Sequence, residues 1–199
     1  MKTVSENKIK QRDDEELKTP FDVLYYTDPD LRRTCRKVRH MNEEMRKAIG
    51  DMTTTMLTRE GIGLAAPQVG IYKRFFLFTA NPEYFRDDES IRVRVAINPQ
   101  VIERDGEIIS YEGCLSYPDH VAKVNRALKI KVRFQDIDMN KVEEELTGLA
   151  ARVFQHELDH LDGILFVDRM EPDTLKHVDE LEGENETDVS PEKEIPPGG

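Results

Sequence analysis

The sequence is poor in cysteine and in long apolar runs. Its two cysteines, Cys35 and Cys114, are fewer than a small disulfide-stapled secreted domain carries, so a reducing compartment is expected. No apolar run approaches membrane-spanning length, and no membrane partner is expected. No basic run points to direct nucleic-acid binding. Residues 1–19 lack the apolar centre of a signal peptide, and their five acids argue against an intact organelle transit peptide. There is no internal repeat or long low-complexity tract.

What is present suits one domain with tails: 199 residues, enough to bury a sizeable core. The net charge of −11 is unevenly placed. From Glu171 to Gly199 ten acids face two lysines, a net of −8, which leaves residues 1–170 with about −3. Residues 1–19 read as a mobile arm, 20–170 as the folded unit and 171–199 as an acidic, disordered, solubilising tail.

Within the unit, Asn42 is a plausible N-cap with Glu43 and Glu44 in the first turn. Met41, Met45, Ile49, Met52 and Met56 recur at helical spacing, predicting a helix over about Asn42–Thr58 whose methionines fill core. Gly61–Gly70 is too rich in glycine, with a proline, to be a regular helix and reads as a shaped loop. Phe75–Phe78 reads as a buried strand, followed by a polar loop at Asn81–Ser90. Ile91–Ile97 alternates as a half-buried strand ended by Asn98-Pro99. Asp105-Gly106 is the best hairpin turn in the chain. Val121–Val124, Leu128–Phe134 and Lys141–Leu146 add strands. A helix is predicted over Gly148–Leu161, apolar over most of its circumference, with Arg152, Gln155, Asp159 and Asp162 as its polar stripe. A short helix near Asp173–Leu181 is a further expectation.

The chemistry concentrates at His156-Glu157-Leu158-Asp159-His160. A helix puts the two imidazoles one turn apart on one face, able to grip one metal ion, with Glu157 beside them as acid–base. Two ligands do not hold a catalytic metal. The metzincin pattern continues to Gly163, but Phe166 stands where its third histidine belongs. A thermolysin-like site takes a glutamate from a later helix, and the acids after Glu171 lie in a tail poorly suited to rigid coordination. Cys114, set among turn-forming residues in Glu112-Gly113-Cys114-Leu115-Ser116, is the remaining soft ligand. Cys35, among basic residues, reads as a lone and partly buried thiol.

Gly61–Gly70, Glu112–Ser116 and Gln155–Leu161 together resemble the three motifs of peptide deformylase, GxGxAAxQ, EGCxS and HExDH, complete and in order. The likeness runs over about Thr19–Arg169. It implies an α+β fold, with antiparallel sheets surrounding a central C-terminal helix that carries H-E-x-x-H. It implies that Cys114, His156 and His160 bind one divalent metal, natively Fe²⁺, with Zn²⁺, Ni²⁺ or Co²⁺ as substitutes. Glu157 becomes the acid–base, and Gln68 with the Leu115 N–H faces the developing oxyanion. The substrate implied is N-formylmethionine at the start of a nascent, ribosome-associated peptide, which loses formate. Backbone near Ile62–Gly63 and Gly113 would pair with that peptide, and Ile62, Leu149 and Val153 would line a methionine pocket. The compartment follows the source: cytoplasm in a bacterium, mitochondrion or plastid in a eukaryote. The acidic tail is unsuited to docking on RNA phosphates. Glu112 and Arg126 are candidate structural partners, a pairing the sequence alone does not show. The rival readings are another metallohydrolase, such as a peptidase, and a non-enzymatic metal-binding module.

Overall fold

The structure, a computed structural model, describes residues 19–79 and 93–183. The arm expected at 1–19 (apart from Thr19), the loop at Asn81–Ser90, the first two residues of the Ile91–Ile97 strand and the tail beyond Gly183 lie outside them.

The fold is α+β. One sheet has five strands in the order β1-β2-β3-β6-β7: β1 (Gly63–Ala65), β2 (Phe75–Thr79), β3 (Val93–Asp105), β6 (Lys129–Gln135) and β7 (Lys141–Thr147). The other has three in the order β4-β5-β8: β4 (Ile108–Cys114), β5 (Tyr117–Arg126) and β8 (Lys176–His177). Every strand pair in both is antiparallel. Two helices, α1 (Glu43–Thr58) and α2 (Gly148–Leu161), pack against the larger sheet, and α2 carries His156 and His160.

β2 is buried on both faces, because its side chains alternate between two cores. Phe76 and Phe78 turn toward α2, where the Phe154 ring meets them edge-on at 4.9 and 5.5 Å. Phe75 and Leu77 turn the other way, onto Met52 and Met56 of α1, both fully buried. The methionine stripe fills core, as its spacing predicts. The α1 start also agrees, with the Asn42 side chain accepting the Met45 N–H at 2.9 Å. Phe154 is fully buried, and truncating such a ring to alanine typically costs about 3–5 kcal/mol.

Several expectations need correction. The Gly61–Gly70 loop contains β1 and a 3₁₀ turn, Ala66–Val69. Asn98-Pro99 does not end its strand. Asn98 takes a left-handed φ of 51°, its side chain pairs with both backbone groups of Val38, and the ladder resumes at Gln100 opposite Arg133. Asp105-Gly106 is not a hairpin. Asp105 pairs with Lys129 and Ile108 with Arg126, so β3 and β4 run along the same returning chain. Gly106, at φ 62°, makes a corner where the ribbon leaves one sheet and enters the other. The reversal comes at Leu115-Ser116, where a register shift leaves Cys114 opposite Tyr117. The β4–β5 turn therefore presents Cys114 at its tip.

The predicted polar stripe of α2 does not all face water. Gln155 and Asp159 are buried. The Gln155 amide hydrogen-bonds both backbone groups of Ala127, and Asp159 accepts from Arg126 and Arg169. The helix expected near Asp173–Leu181 is instead β8 followed by a 3₁₀ segment, Val178–Gly183.

Candidate metal centre

The α2 register brings His156 and His160 onto one face, with ring centres 5.0 Å apart. The β4–β5 turn delivers Cys114 opposite them. Cys114 Sγ lies 3.3 Å from His160 Nε2, and one ligand atom from each of the three residues falls within 4.8 Å of the others. A tetrahedral ion with bonds of about 2.0–2.3 Å holds sulfur and nitrogen ligands about 3.5 Å apart, so the donors stand at coordinating distance.

A second layer aims the ligands. His156 Nδ1 meets Glu112 Oε2 at 3.1 Å, which leaves Nε2 for the centre. Arg126 grips Glu112 with two hydrogen bonds, at 3.0 and 2.9 Å, and reaches Asp159 at 2.5 Å. Arg169 closes the chain on Asp159 at 2.5 and 2.7 Å. Burial would raise the Glu112 carboxyl, but the His156 and Arg126 hydrogen bonds outweigh it and hold it at about 2. Burial likewise disfavours charge on His156, yet Cys114 and Glu112 keep its proton well above the usual histidine range. Burial and the neighbouring His156 push His160 well below that range. One Cys and two His at coordinating distance, with a carboxylate behind one ring, fit a divalent metal.

Glu157 lies beside the ligands, fully within the protein. Burial pushes its carboxyl up to about 7, and Oε2 has no hydrogen-bond partner among the described residues. Its room comes from Gly63. A Cβ at position 63 would stand 2.3 Å from Glu157 Oε1 and 2.8 Å from Cδ. Gln68 is fixed by its Oε1, which accepts the Ala65 N–H at 2.7 Å. Its Nε2 thus faces Ser116 Oγ at 3.1 Å and Cys114 Sγ at 3.5 Å.

Every sequence-predicted site residue except Gly63 and His160 lines one cavity of about 160 Å³: Ile62, Gln68, Gly113, Cys114, Leu115, Leu149, Val153, His156 and Glu157. Gly63 sits beside it under Glu157, and His160 behind it. A larger polar cleft of about 650 Å³ lies against Arg104, Asn125 and Leu158 and includes none of the three donors.

Sequence reasoning missed two members of the cavity wall, Tyr111 and Arg152. Arg152 donates to the Tyr111 carbonyl at 2.5 Å. The signal for Arg152 was its charge on an otherwise apolar helix. Asp159 carries the same signal and is buried.

Comparison with known proteins agrees with this geometry. The family profile described as polypeptide deformylase matches residues 20–176. The peptide deformylase of Thermotoga maritima is 42% identical over 153 residues, covering 76% of this chain and 88% of that protein. A crystal structure of a plant peptide deformylase superposes with a TM-score of 0.73 at 33% identity, covering 83% of this chain and 86% of that one. That of Synechococcus elongatus, in complex with actinonin, gives 0.70 at 38% identity over 77% and 80%. With most of both partners covered in sequence and in fold, the chain belongs to the peptide deformylase family.

Proposed function

We propose that this chain hydrolyses the formyl group from N-formylmethionine at the N-terminus of newly made polypeptides, releasing formate. The observation that carries the reading is the convergence of Cys114, His156 and His160 beside the buried Glu157 carboxylate. In this reading the three side chains hold one divalent cation, natively Fe²⁺, with Zn²⁺, Ni²⁺ or Co²⁺ able to substitute. When bound, the cation acidifies a water and polarises the formyl oxygen.

The chain's own groups do the rest. Glu157 accepts the attacking water's proton and returns it to the leaving nitrogen, from a buried position beside the three ligand candidates. The Gln68 Nε2–H and the Leu115 N–H donate to the oxyanion, each worth about 3 kcal/mol. Glu112, behind His156, orients the ring and leaves its Nε2 lone pair available.

The substrate slot follows from topology. β1 is one edge strand of the larger sheet and β4 one edge strand of the smaller. An extended peptide enters between these two edges, pairing with Ile62–Gly63 on one side and Gly113 on the other. Its first side chain enters the cavity against Ile62, Leu149 and Val153. The partner is the nascent peptide at the ribosome. Among the described residues no helix is long and apolar enough to cross a membrane. A bacterial chain of this kind works in the cytoplasm, a eukaryotic one in the mitochondrion or plastid.

Iron-loaded protein incubated anaerobically with formyl-Met peptides should release formate and leave unformylated peptides intact. Cleavage of internal bonds without formate would instead identify a peptidase.

A further inference from the structure

Outside α2 the chain has three histidines, His40, His120 and His177. Two of them face each other. β5 and β8 pair with His120 directly opposite His177, so both rings leave the sheet on one side. Their centres lie 5.3 Å apart at 84°. His156 and His160, in the centre described above, stand 5.0 Å apart at 73°. Two imidazoles on one ion, at metal–nitrogen distances of about 2.0–2.1 Å, place their ring centres roughly 5 Å apart. A cross-strand pair here reaches the spacing that a helical turn gives to the other pair.

The remaining ring atoms are also arranged for ligation. His120 Nδ1 lies 2.9 Å from the Pro118 carbonyl, so it carries the proton and leaves the Nε2 lone pair free. His177 Nδ1 lies between two groups of Asp179, the carboxylate Oδ2 at 3.2 Å and the backbone N–H at 3.4 Å; the shorter, charge-assisted contact to Oδ2 places the proton on Nδ1 and leaves Nε2 as the lone-pair nitrogen. A carboxylate behind one imidazole is how a metal-binding histidine is oriented and made more basic, and Glu112 stands in that relation to His156. Tyr117 packs edge-on against His120 at 5.0 Å and restrains its ring. Both histidines are half-exposed, so an ion can arrive with its remaining waters.

We propose that His120 and His177 form a second, surface site for a transition metal, binding Zn²⁺, Ni²⁺ or Cu²⁺ through their two Nε2 atoms with water completing the coordination. Imidazole favours these ions over Mg²⁺ and Ca²⁺. The ion clips β8 to β5. That strand is only two residues long and pairs with β5 through His177 and Lys176 alone. The metal thus fastens β8 to β5 near the end of the described residues. This inference does not depend on the deformylase reading.

The test uses full-length protein that metal analysis shows to carry one equivalent of Zn²⁺. Further Zn²⁺ is titrated by calorimetry while the histidine ring signals are followed by NMR. The expected result is binding of a second equivalent that shifts two ring spin systems and is lost in both His120→Gln and His177→Gln. It survives in His40→Gln, and an equal concentration of Mg²⁺ does not reproduce it. Melting curves of the variants without added Zn²⁺ show whether they remain folded. Absence of a second event in the unaltered protein overturns the proposal. So does an event that persists in both variants or vanishes in His40→Gln.

Discussion

Gly63→Ala is the smallest change that should separate positioning of Glu157, the proposed acid–base, from everything else in the site. The added Cβ would lie 2.3, 2.8 and 2.9 Å from Oε1, Cδ and Cγ of Glu157, where side-chain contacts are normally well above 3 Å. Neither partner yields easily. Gly63 pairs with Phe78 within a fully buried strand, and Glu157 sits on a helix buried against the same sheet. The carboxylate must therefore move by roughly 1 Å, a displacement that costs on the order of 10²-fold in rate. Overpacking should also cost about 1–3 kcal/mol of stability. The substitution keeps the residue 63 N–H and C=O, so the proposed peptide pairing to β1 should survive. The expected outcome is kcat down about 100-fold, a KM within a few-fold of normal, and full metal content. Formate-release kinetics, metal analysis and a thermal melt on one preparation read all three. A kcat within about threefold of the unaltered enzyme would refute the close-approach argument, and a change confined to KM would make Gly63 a substrate contact alone.

Other outcomes follow from the second layer and from the thiolate. Cys114→Ser should lose most metal retention and activity while leaving secondary structure intact, read by metal analysis and circular dichroism; undiminished metal would contradict its place as a ligand. Glu112→Gln should weaken metal affinity by about 10–100-fold, because His156 loses the carboxylate that orients it; competition with a chelator measures this. Glu112 also sets an acid limit. Its folded carboxyl lies at about 2, against roughly 4.3 when unfolded, so its contribution is fully present above the unfolded value and is lost as pH falls through about 4 toward 2. That contribution is about 3 kcal/mol in metal-free protein, visible as a falling urea midpoint that Glu112→Gln flattens. A midpoint with the same acid slope in the variant would assign the loss to other carboxylates.

The parts of the fold legible in the sequence were those set by local periodicity and capping. α2 occupies Gly148–Leu161 as its apolar pattern predicts, and Asn42 caps α1 through its own side chain. The errors arose where a partner distant in sequence decides. Asp105-Gly106 has the same turn chemistry whether the chain reverses or bends; the pairing of both flanking strands with one returning ribbon makes it a corner. Gln155 and Asp159 look solvent-facing on α2 until Ala127 and Arg126 arrive from across the fold. In the site, the three motifs contain all three metal-ligand candidates and Glu157, because each ligand type has a spacing requirement of its own. The Glu112–Arg126–Asp159–Arg169 chain has no such spacing, and the need for glycine at 63 emerges only when Glu157 is seen above it.

The central claim is that Glu157 moves the proton at a metal centre it does not itself build. Glu157→Ala tests it most directly, with metal content and formate release from a formyl-Met peptide measured on the same iron-reconstituted sample. The account requires a full equivalent of metal and loss of nearly all turnover. A variant that retains metal and still releases formate at a rate close to normal would contradict it.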